Sequence, residues 1–226
     1  MPRTAGFELD RDQVLAAATE LLRSSGLGAL SMRKLANELG ITPPSIYYYF
    51  PTKDALVDAV VESLYSRIEI PTEATWQERL RAILRSVRGI FGEYPAALPY
   101  LLSRASFSPT GLKLTNLAAG WLFDAGFEEE PIAEALVMCS VLIVGHGQLE
   151  ARQAAPAEVR PDAPSVTEVD FTALPHILRL APHFGRPVGQ PEFERALDLL
   201  IADLERHAPK PGRSAARSRP GPGEIG

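Results

Sequence analysis

The chain has 226 residues, a formal net charge of −5 and an apolar fraction of 46%, which suits one globular domain or two small ones with a real core. This acidity excludes a generic nucleic-acid coat protein, which would be basic, but it leaves room for local positive charge that faces phosphates. The single cysteine, Cys139, excludes an intramolecular disulfide and the usual cysteine zinc sites. It fits a reducing cytoplasm, where we expect the protein to be located.

The sequence shows no signal for a membrane. It does not begin with a charged and then apolar segment, as a secretory signal would. The longest apolar stretch, residues 135–144 with one serine, is shorter than the ~20 residues that span a bilayer. We therefore expect no membrane partner.

Two helices are predicted at the start of the chain. The first begins at a capping-box-like segment, Asp10–Gln13, ends at Gly26, and has a buried stripe at helical spacing: Val14, Ala17, Ala18, Leu21 and Leu22. The second lies between Ser31, which suits an N-cap, and Gly40, which suits a C-terminal stop. Its buried face follows the i, i+3, i+4, i+7 rule: Met32, Leu35, Ala36 and Leu39.

A third short helix follows the tight turn at Ile41 and Thr42, and it opens with two prolines, whose missing N–H costs little in a first turn. Two helices joined by such a turn form a helix-turn-helix, whose second helix can enter a DNA major groove. Three successive tyrosines, residues 47–49, span most of the circumference of this helix, so they cannot all be buried. We assign Ile46 and Phe50 to the core and expect at least two tyrosines to contact DNA.

These segments together, LSMRKLANELGITPPSIYYYFPTKDAL at residues 30–56, resemble the TetR (tetracycline repressor) family of one-component bacterial transcription regulators. The resemblance implies a DNA-binding domain over residues 1–54 and a linking helix over about 52–68. Pro43 stands where the tetracycline repressors have a base-reading glutamine, so their operator sequence is not expected here. From the residues and the resemblance, the predicted DNA-binding set is Arg33, Lys34, Thr42, Pro43, Pro44, Ser45, Tyr47, Tyr48, Tyr49 and Lys53.

The later part of the chain continues with helical patterns and no strand-like alternation, so the predicted fold is all-α. Three segments resemble the C-terminal domain of the tetracycline repressors: residues 74–88, 122–136 and 192–206. We expect residues 55–207 to form a helical bundle for ligand binding and dimerisation, and residues 208–226 to be a disordered tail. Its predicted elements are helices over 80–91, 96–105, 109–126, 131–154, 171–184 (interrupted by prolines) and 191–207, with a mobile loop over 155–169.

A homodimer is expected, because a single short recognition helix gives too few base contacts, and paired helices can read successive major grooves of a palindromic operator. The helices predicted over 131–154 and 191–207 have more apolar surface than one subunit can cover. Gly145 and Gly147 would let a partner helix approach closely. The family's habit of pairing its two C-terminal helices across the dimer agrees.

The remaining helices should enclose an effector cavity, mostly apolar with a few converging polar groups. At each candidate position an ordinary core or surface role is an equally good interpretation, except at Arg104, which also matches a ligand-linked position of the tetracycline repressors. Spacing along the helices indicates as candidates Ile83, Val87, Tyr100, Ser103, Arg104, Phe107, Trp121, Met138, Leu142, His146 and Glu150.

Two departures from the tetracycline repressors bear on the ligand. They have a metal-binding histidine where this chain has Tyr100, and an amide side chain where it has Ile83. We therefore expect no metal site, no cofactor and a more apolar effector than a chelated tetracycline. The effector would release DNA by binding better to the state of the dimer in which the recognition helices lose the groove spacing.

Two other functions compete with this interpretation. Cys139, His146 and Glu150 could act as nucleophile, base and orienting group on one helix, but an apolar setting raises a thiol pKa and no phosphate loop accompanies them. We therefore expect no catalytic residues and no enzyme activity. A protein-binding dimer whose helix-turn-helix has lost DNA binding is the second alternative.

Overall fold

A computed structural model describes residues 10–95, 100, 101, 104, 108–154, 170–183 and 186–209. These residues form α-helices and contain no strand, so the predicted all-α fold is confirmed. The helices are α1 Arg11–Ala29, α2 Met32–Leu39, α3 Pro43–Tyr49, α4 Lys53–Tyr65, α5 Trp76–Gly92, α6 Pro109–Asp124, α7 Glu129–Ala154, α8 Pro175–Leu180 and α9 Gln190–His207.

The helix ends near the N-terminus follow from local chemistry. The Asp10 carboxylate accepts from Gln13 N at 2.7 Å and the Gln13 side chain accepts from Asp10 N at 3.1 Å, which completes the capping box. Ser31 caps α2 through Lys34 N at 3.1 Å. Gly40 ends α2 with φ +67°, a conformation that side chains with a Cβ rarely adopt.

Some bounds differ from the sequence prediction. Gly26 has φ +71° and kinks α1, but the helix continues to Ala29 instead of ending at this glycine. The linking helix α4 is shorter than predicted, because Thr52 caps its start through Ala55 N at 3.0 Å and Ser66 ends it. Helix α7 begins two residues before Pro131, since a proline in the first turn needs no helical N–H partner.

Two apolar clusters form the core. The first joins α1, α2, α3 and α4 with one side of α5, and it includes the fully buried Ile46 and Leu56. The second joins the other side of α5 with α6, α7 and α9, around Phe193 and Leu197. Trp121 and Ile143 pack against both clusters.

The segment from Asp170 to His183 lies outside the two apolar clusters and is exposed to solvent. Two 3-10 turns, Phe171–Ala173 and Ala181–His183, flank α8, which agrees with the predicted proline-interrupted helix. Every residue in this segment is exposed, including Ile177 and Leu178. The predicted loop over 155–169, the tail beyond Pro209 and most of the predicted helix over 96–105 lie outside the described residues.

Helix α7 is long and apolar enough to cross a membrane by length and composition alone, over Glu129–Gln153, within which an 18-residue window has a mean hydropathy of 1.6. The longest apolar run, residues 135–144 with one serine, is too short to predict this property. In the fold α7 packs against α5, α6 and α9, and the core helices of soluble proteins share this composition. Only a third of this window is buried. Several apolar side chains of α7 are therefore not covered by other residues of the same protomer.

Candidate nucleic-acid interface and ligand cavity

Helix α3 presents two of its three tyrosines to solvent. Tyr48 is 83% exposed and Tyr47 is 49% exposed, whereas Ile46 is fully buried. Tyr49 is half-buried and packs against the first apolar cluster, with its ring 5.1 Å from that of Tyr48 in an edge-to-face arrangement. The helix is therefore held on its inner side by Ile46 and in part by Tyr49, and it presents the rings of Tyr47 and Tyr48 on its outer side.

The other residues of the predicted DNA-binding set lie on α2, in the turn that follows it, and at the starts of α3 and α4. Arg33 and Lys34 are exposed on α2, and Pro44 is exposed at the start of α3. The hydroxyl groups of Thr42 and Ser45 lie 3.1 Å apart, so each can be the hydrogen-bond partner of the other across the turn. Pro43 and Ser45 are half-buried beside them.

Lys53 has a structural contact in addition to its predicted role. Its Nζ donates to the backbone oxygen of Leu27 at 3.3 Å, and the side chain is half-buried. The contact joins the start of α4 to the last turn of α1, where carbonyl groups lack helical partners. Lys53 therefore ties the linking helix to the DNA-binding region.

A cavity of about 410 Å³ lies among α4, α5, α6 and α7. It is located between the two apolar clusters, because Tyr65 and Ile83 belong to the first and Leu80 and Cys139 to the second. Among the described residues, its lining is almost entirely apolar and includes no charged side chain: Tyr65, Leu80, Ile83, Leu84, Val87, Gly111, Leu112, Leu114, Thr115, Ala118, Leu136, Val137, Cys139, Ser140, Val141, Ile143 and Val144.

The few polar groups of the cavity offer little to a charged ligand. The hydroxyls of Thr115 and Ser140 each donate at 3.0 Å to a carbonyl four residues earlier on their own helix, Gly111 and Leu136. Burial raises the pKa of the Tyr65 hydroxyl to about 12 and that of the Cys139 thiol to about 12, so both stay neutral near pH 7. A charge placed here would lose its hydration without a counter-charge in the lining.

Of the predicted effector residues that the structure describes, two line this cavity, Ile83 and Val87. Met138 is 52% exposed on α7, and Leu142 packs into the second cluster. Trp121 lies below the Arg79 guanidinium, with 5.6 Å between the guanidinium carbon and the ring centroid. Ser103 and Phe107 lie outside the described residues.

Tyr100 and Arg104 contact α4 instead of the cavity. Arg104 forms a two-pronged ion pair with Asp58, with Nε–Oδ1 at 2.5 Å and Nη2–Oδ2 at 2.9 Å. These hydrogen bonds raise the pKa of the guanidinium above its usual value. Sequence reasoning could not find this pair, because its partners are 46 residues apart and no periodicity connects them.

His146 and Glu150 join three helices near the start of α9. The His146 ring is buried, with Nε2 3.0 Å from the backbone oxygen of Gly189 and Nδ1 3.3 Å from a Glu150 carboxylate oxygen. Glu150 also accepts from Arg88 on α5. The ring meets Phe193 edge to face at 5.3 Å. This cluster connects helices, and neither residue lines the cavity.

The three residues considered for catalysis are not arranged as a nucleophile and its base. Both His146 nitrogens face oxygen atoms of Gly189 and Glu150, and the raised pKa of Cys139 disfavours the thiolate that a nucleophile requires. Among the described residues, no group of three or more His, Cys, Asp or Glu side chains is placed to hold a metal ion.

The pH dependence of Cys139 alkylation tests the apolar character of the cavity. We expect the rate with an uncharged alkylating reagent to rise about tenfold per pH unit from pH 7 to 10, because the thiolate fraction keeps growing below a pKa of about 12. In the urea-unfolded chain the rate should level off above roughly pH 8.5, the ordinary thiol value. A plateau below pH 9 in the folded protein would contradict this description of the site.

Two family models match most of the chain. One, described as "Bacterial regulatory proteins, tetR family", matches residues 14–60. The other, described as "Tetracyclin repressor-like, C-terminal domain", matches residues 70–207. The first includes the helix-turn-helix, and the second includes every helix that lines the cavity except α4.

Individual proteins agree with these matches. The class G tetracycline repressor of Vibrio anguillarum is 32% identical over 206 residues, which cover 88% of this chain and 95% of that protein. An HTH-type transcriptional regulator of Saccharopolyspora erythraea is 26% identical over 205 residues, 87% and 84% of the two chains. The solved structure of Streptomyces coelicolor ActR with actinorhodin has a TM-score of 0.73 at 24% identity, covering 91% of this chain and 99% of ActR.

Proposed function

Because the chain belongs to the TetR family of bacterial transcriptional regulators, we propose that it is a repressor whose homodimer binds a palindromic operator and releases it when an apolar effector fills the cavity. Its relatives are transcriptional regulators and not enzymes. A regulator of this kind acts where the bacterial chromosome is, so the proposed location is the cytoplasm.

The observation that carries the DNA-binding proposal is the exposure of Tyr47 and Tyr48 on a recognition helix. A phenol ring with about half (Tyr47) or most (Tyr48) of its surface in water gains by packing against sugar and thymine methyl groups, and its hydroxyl can donate to a phosphate. Arg33 and Lys34 supply positive charge on the neighbouring helix. The local charge is thus suited to DNA although the whole chain is acidic.

The dimer proposal rests on apolar side chains that one protomer leaves uncovered. On α7 these are Met138 and Leu149, each at least half exposed and neither of them lining the cavity, and on α9 Leu199 is 63% exposed. A Cβ added at Gly145 would meet no atom within 4 Å, so a second chain could approach the helix there. Gly147, by contrast, is buried within the protomer.

The effector proposal follows from the lining of the cavity. An uncharged, largely apolar molecule suits a space with no charged side chain and with hydroxyls already bonded to their own helices. A tetracycline–magnesium chelate requires ligands for the metal, and the cavity offers an isoleucine at position 83 and no histidine. We therefore propose a neutral effector that binds without a metal.

Fluorescence anisotropy with the DNA upstream of the gene tests the function directly. Replacing Tyr48 with alanine should weaken specific binding by roughly 1–3 kcal/mol, about 5- to 150-fold, and binding to random DNA by a smaller factor, because random DNA offers the sugar and phosphate contacts but not the matched thymine methyl group. Phe123→Ala, at another exposed aromatic residue on α6, is the matched control and should bind as the wild type does.

The same assay tests the effector. A neutral apolar inducer should lower operator affinity, whereas its charged analogue of similar size should not. Salt-insensitive binding with no preference for the upstream DNA would refute the DNA-binding proposal. Equal operator affinities with and without a tested molecule would show that this molecule is not the inducer.

A further inference from the structure

The lining of the cavity has an exposed side and a buried side. The exposed lining residues are all on α6 or α7: Leu112, Thr115, Val137, Ser140 and Val141. The lining residues on α4 and α5 are all buried: Tyr65, Leu80, Ile83, Leu84 and Val87. The cavity therefore has a mouth between α6 and α7 and an enclosed end against α4 and α5. We call the five exposed residues the rim and the five buried residues the floor.

The rim presents hydrogen-bond acceptors to a ligand. The Thr115 hydroxyl donates to the Gly111 carbonyl, and the Ser140 hydroxyl donates to the Leu136 carbonyl, each at 3.0 Å. A hydroxyl has one donor and two acceptor lone pairs, so each of these oxygens keeps acceptor capacity after its proton is engaged. An O–H or an amide N–H of a ligand can donate to them. An ether oxygen or a carboxylate cannot, because it only accepts.

The floor favours an apolar group. Four of its five residues are aliphatic, and each of these is at least nine-tenths buried: Leu80, Ile83, Leu84 and Val87. A polar group placed among these side chains would lose its hydrogen bonds to water and gain none from them. The two ends of the cavity therefore suit different parts of one molecule.

We propose that the effector is amphipathic, with an apolar body on the floor and one uncharged hydrogen-bond donor, a hydroxyl or an amide N–H, at the rim. This inference rests on the proposed function, which requires only that the effector be neutral and largely apolar. Thr115 and Ser140 are then the residues that determine specificity for the polar end of the effector. Val137 and Val141 are exposed because they border the mouth.

Two isomeric probes test the requirement for a donor. n-Decyl alcohol and methyl nonyl ether have the same atoms and nearly the same length, but only the alcohol can donate a hydrogen bond. Each displaces the uncharged fluorescent dye phenylnaphthylamine from the purified protein in the absence of DNA. We expect the combined Thr115→Val and Ser140→Ala variant to lower the ratio of alcohol affinity to ether affinity at least about threefold, because both acceptors are lost. The different hydration of the two probes cancels when this ratio is compared between proteins.

Two hydroxyls on α1 provide the matched control. Thr19 and Ser24 also donate to carbonyls four residues earlier, at 2.8 and 2.9 Å, and neither lines the cavity. The combined Thr19→Val and Ser24→Ala variant makes the same chemical change and should keep the wild-type ratio.

A third probe tests the orientation of the ligand. n-Decyl glucoside, used below its micelle concentration, has a sugar in place of the alcohol proton. It should bind nearly as well as the alcohol, because a head group at the rim can extend from the mouth into water. A glucoside that fails to displace the dye, where the alcohol displaces it, would show that the mouth is closed and would refute this orientation.

The outcomes separate this inference from the function on which it rests. A protein that binds neither the dye nor the alcohol refutes the apolar effector of the proposed function. Binding of both isomers, with a ratio that the rim variant leaves unchanged, refutes the donor requirement alone. A ratio that the α1 variant lowers equally would show a general effect of removing hydroxyls and would also refute it.

Discussion

Replacing Leu199 with glutamate is expected to leave the protein monomeric and to weaken specific operator binding by about 10³-fold or more, to the level of non-specific binding. Leu199 is the most exposed large apolar residue on α9, and α9 packs against α7, which has its own uncovered apolar residues. A carboxylate buried in an interface between these helices would lose its hydration without a partner. A monomer would then bind only one half-site.

Sedimentation and operator anisotropy on the same samples check this result. Asn116→Glu, at an exposed position on α6, adds the same charge outside the proposed interface and should remain dimeric. A Leu199→Glu protein that sediments as a dimer would show that Leu199 does not lie in the dimer interface. A monomeric variant with full operator affinity would instead show that operator binding does not require a dimer.

Ile46→Ala is expected to lower the free energy of unfolding by about 2–5 kcal/mol, the usual cost of removing most of a buried aliphatic side chain. Ile46 has no surface in contact with water, and it is the one side chain of α3 that is completely buried. Its loss leaves a cavity beneath the recognition helix, so operator affinity should fall as well. Urea unfolding followed by circular dichroism measures the change in stability.

Tyr48→Ala is the matched comparison, two residues along the same helix. Its ring is 83% exposed, so stability should stay within roughly 0.5 kcal/mol of the wild type while DNA affinity falls. The two variants therefore separate the inner and outer sides of α3. Equal losses of stability in both would show that Tyr48 has a packing role.

The helix-turn-helix could be predicted from the sequence because its information is local. The stripe of Met32, Leu35 and Ala36, the cap at Ser31 and the stop at Gly40 all act within a few residues. The alternation between Ile46 inside and Tyr47 and Tyr48 outside follows from the helical period. The family, inferred from these segments, and the all-α fold, inferred from helical patterns along the whole chain, are confirmed.

The cavity could be predicted only in part, because its lining depends on how distant helices meet. Spacing on α5 correctly marks Ile83 and Val87 as inward-facing. Helix α7 is apolar on nearly all sides, so periodicity cannot tell that Cys139 lines the cavity while Met138 points outward. The interaction of Arg104 with Asp58 depends on tertiary packing across 46 residues, which spacing along one helix does not encode.

The continuity of the first apolar cluster bears on the engineering of hybrid sensors. Val57, Val60 and Val61 of α4 are fully buried in the same cluster as Val14 and Leu35 of the preceding helices. A chimera joined after residue 54 would strip these side chains from the helices they cover, and fusion partners would have to rebuild that packing. Joining within residues 66–75, after α4, would keep the packing of α4 on α1 to α3, although it would separate α4 from Ile83, Val87 and Ile90 of α5 and from its hydrogen-bond partners between residues 100 and 110.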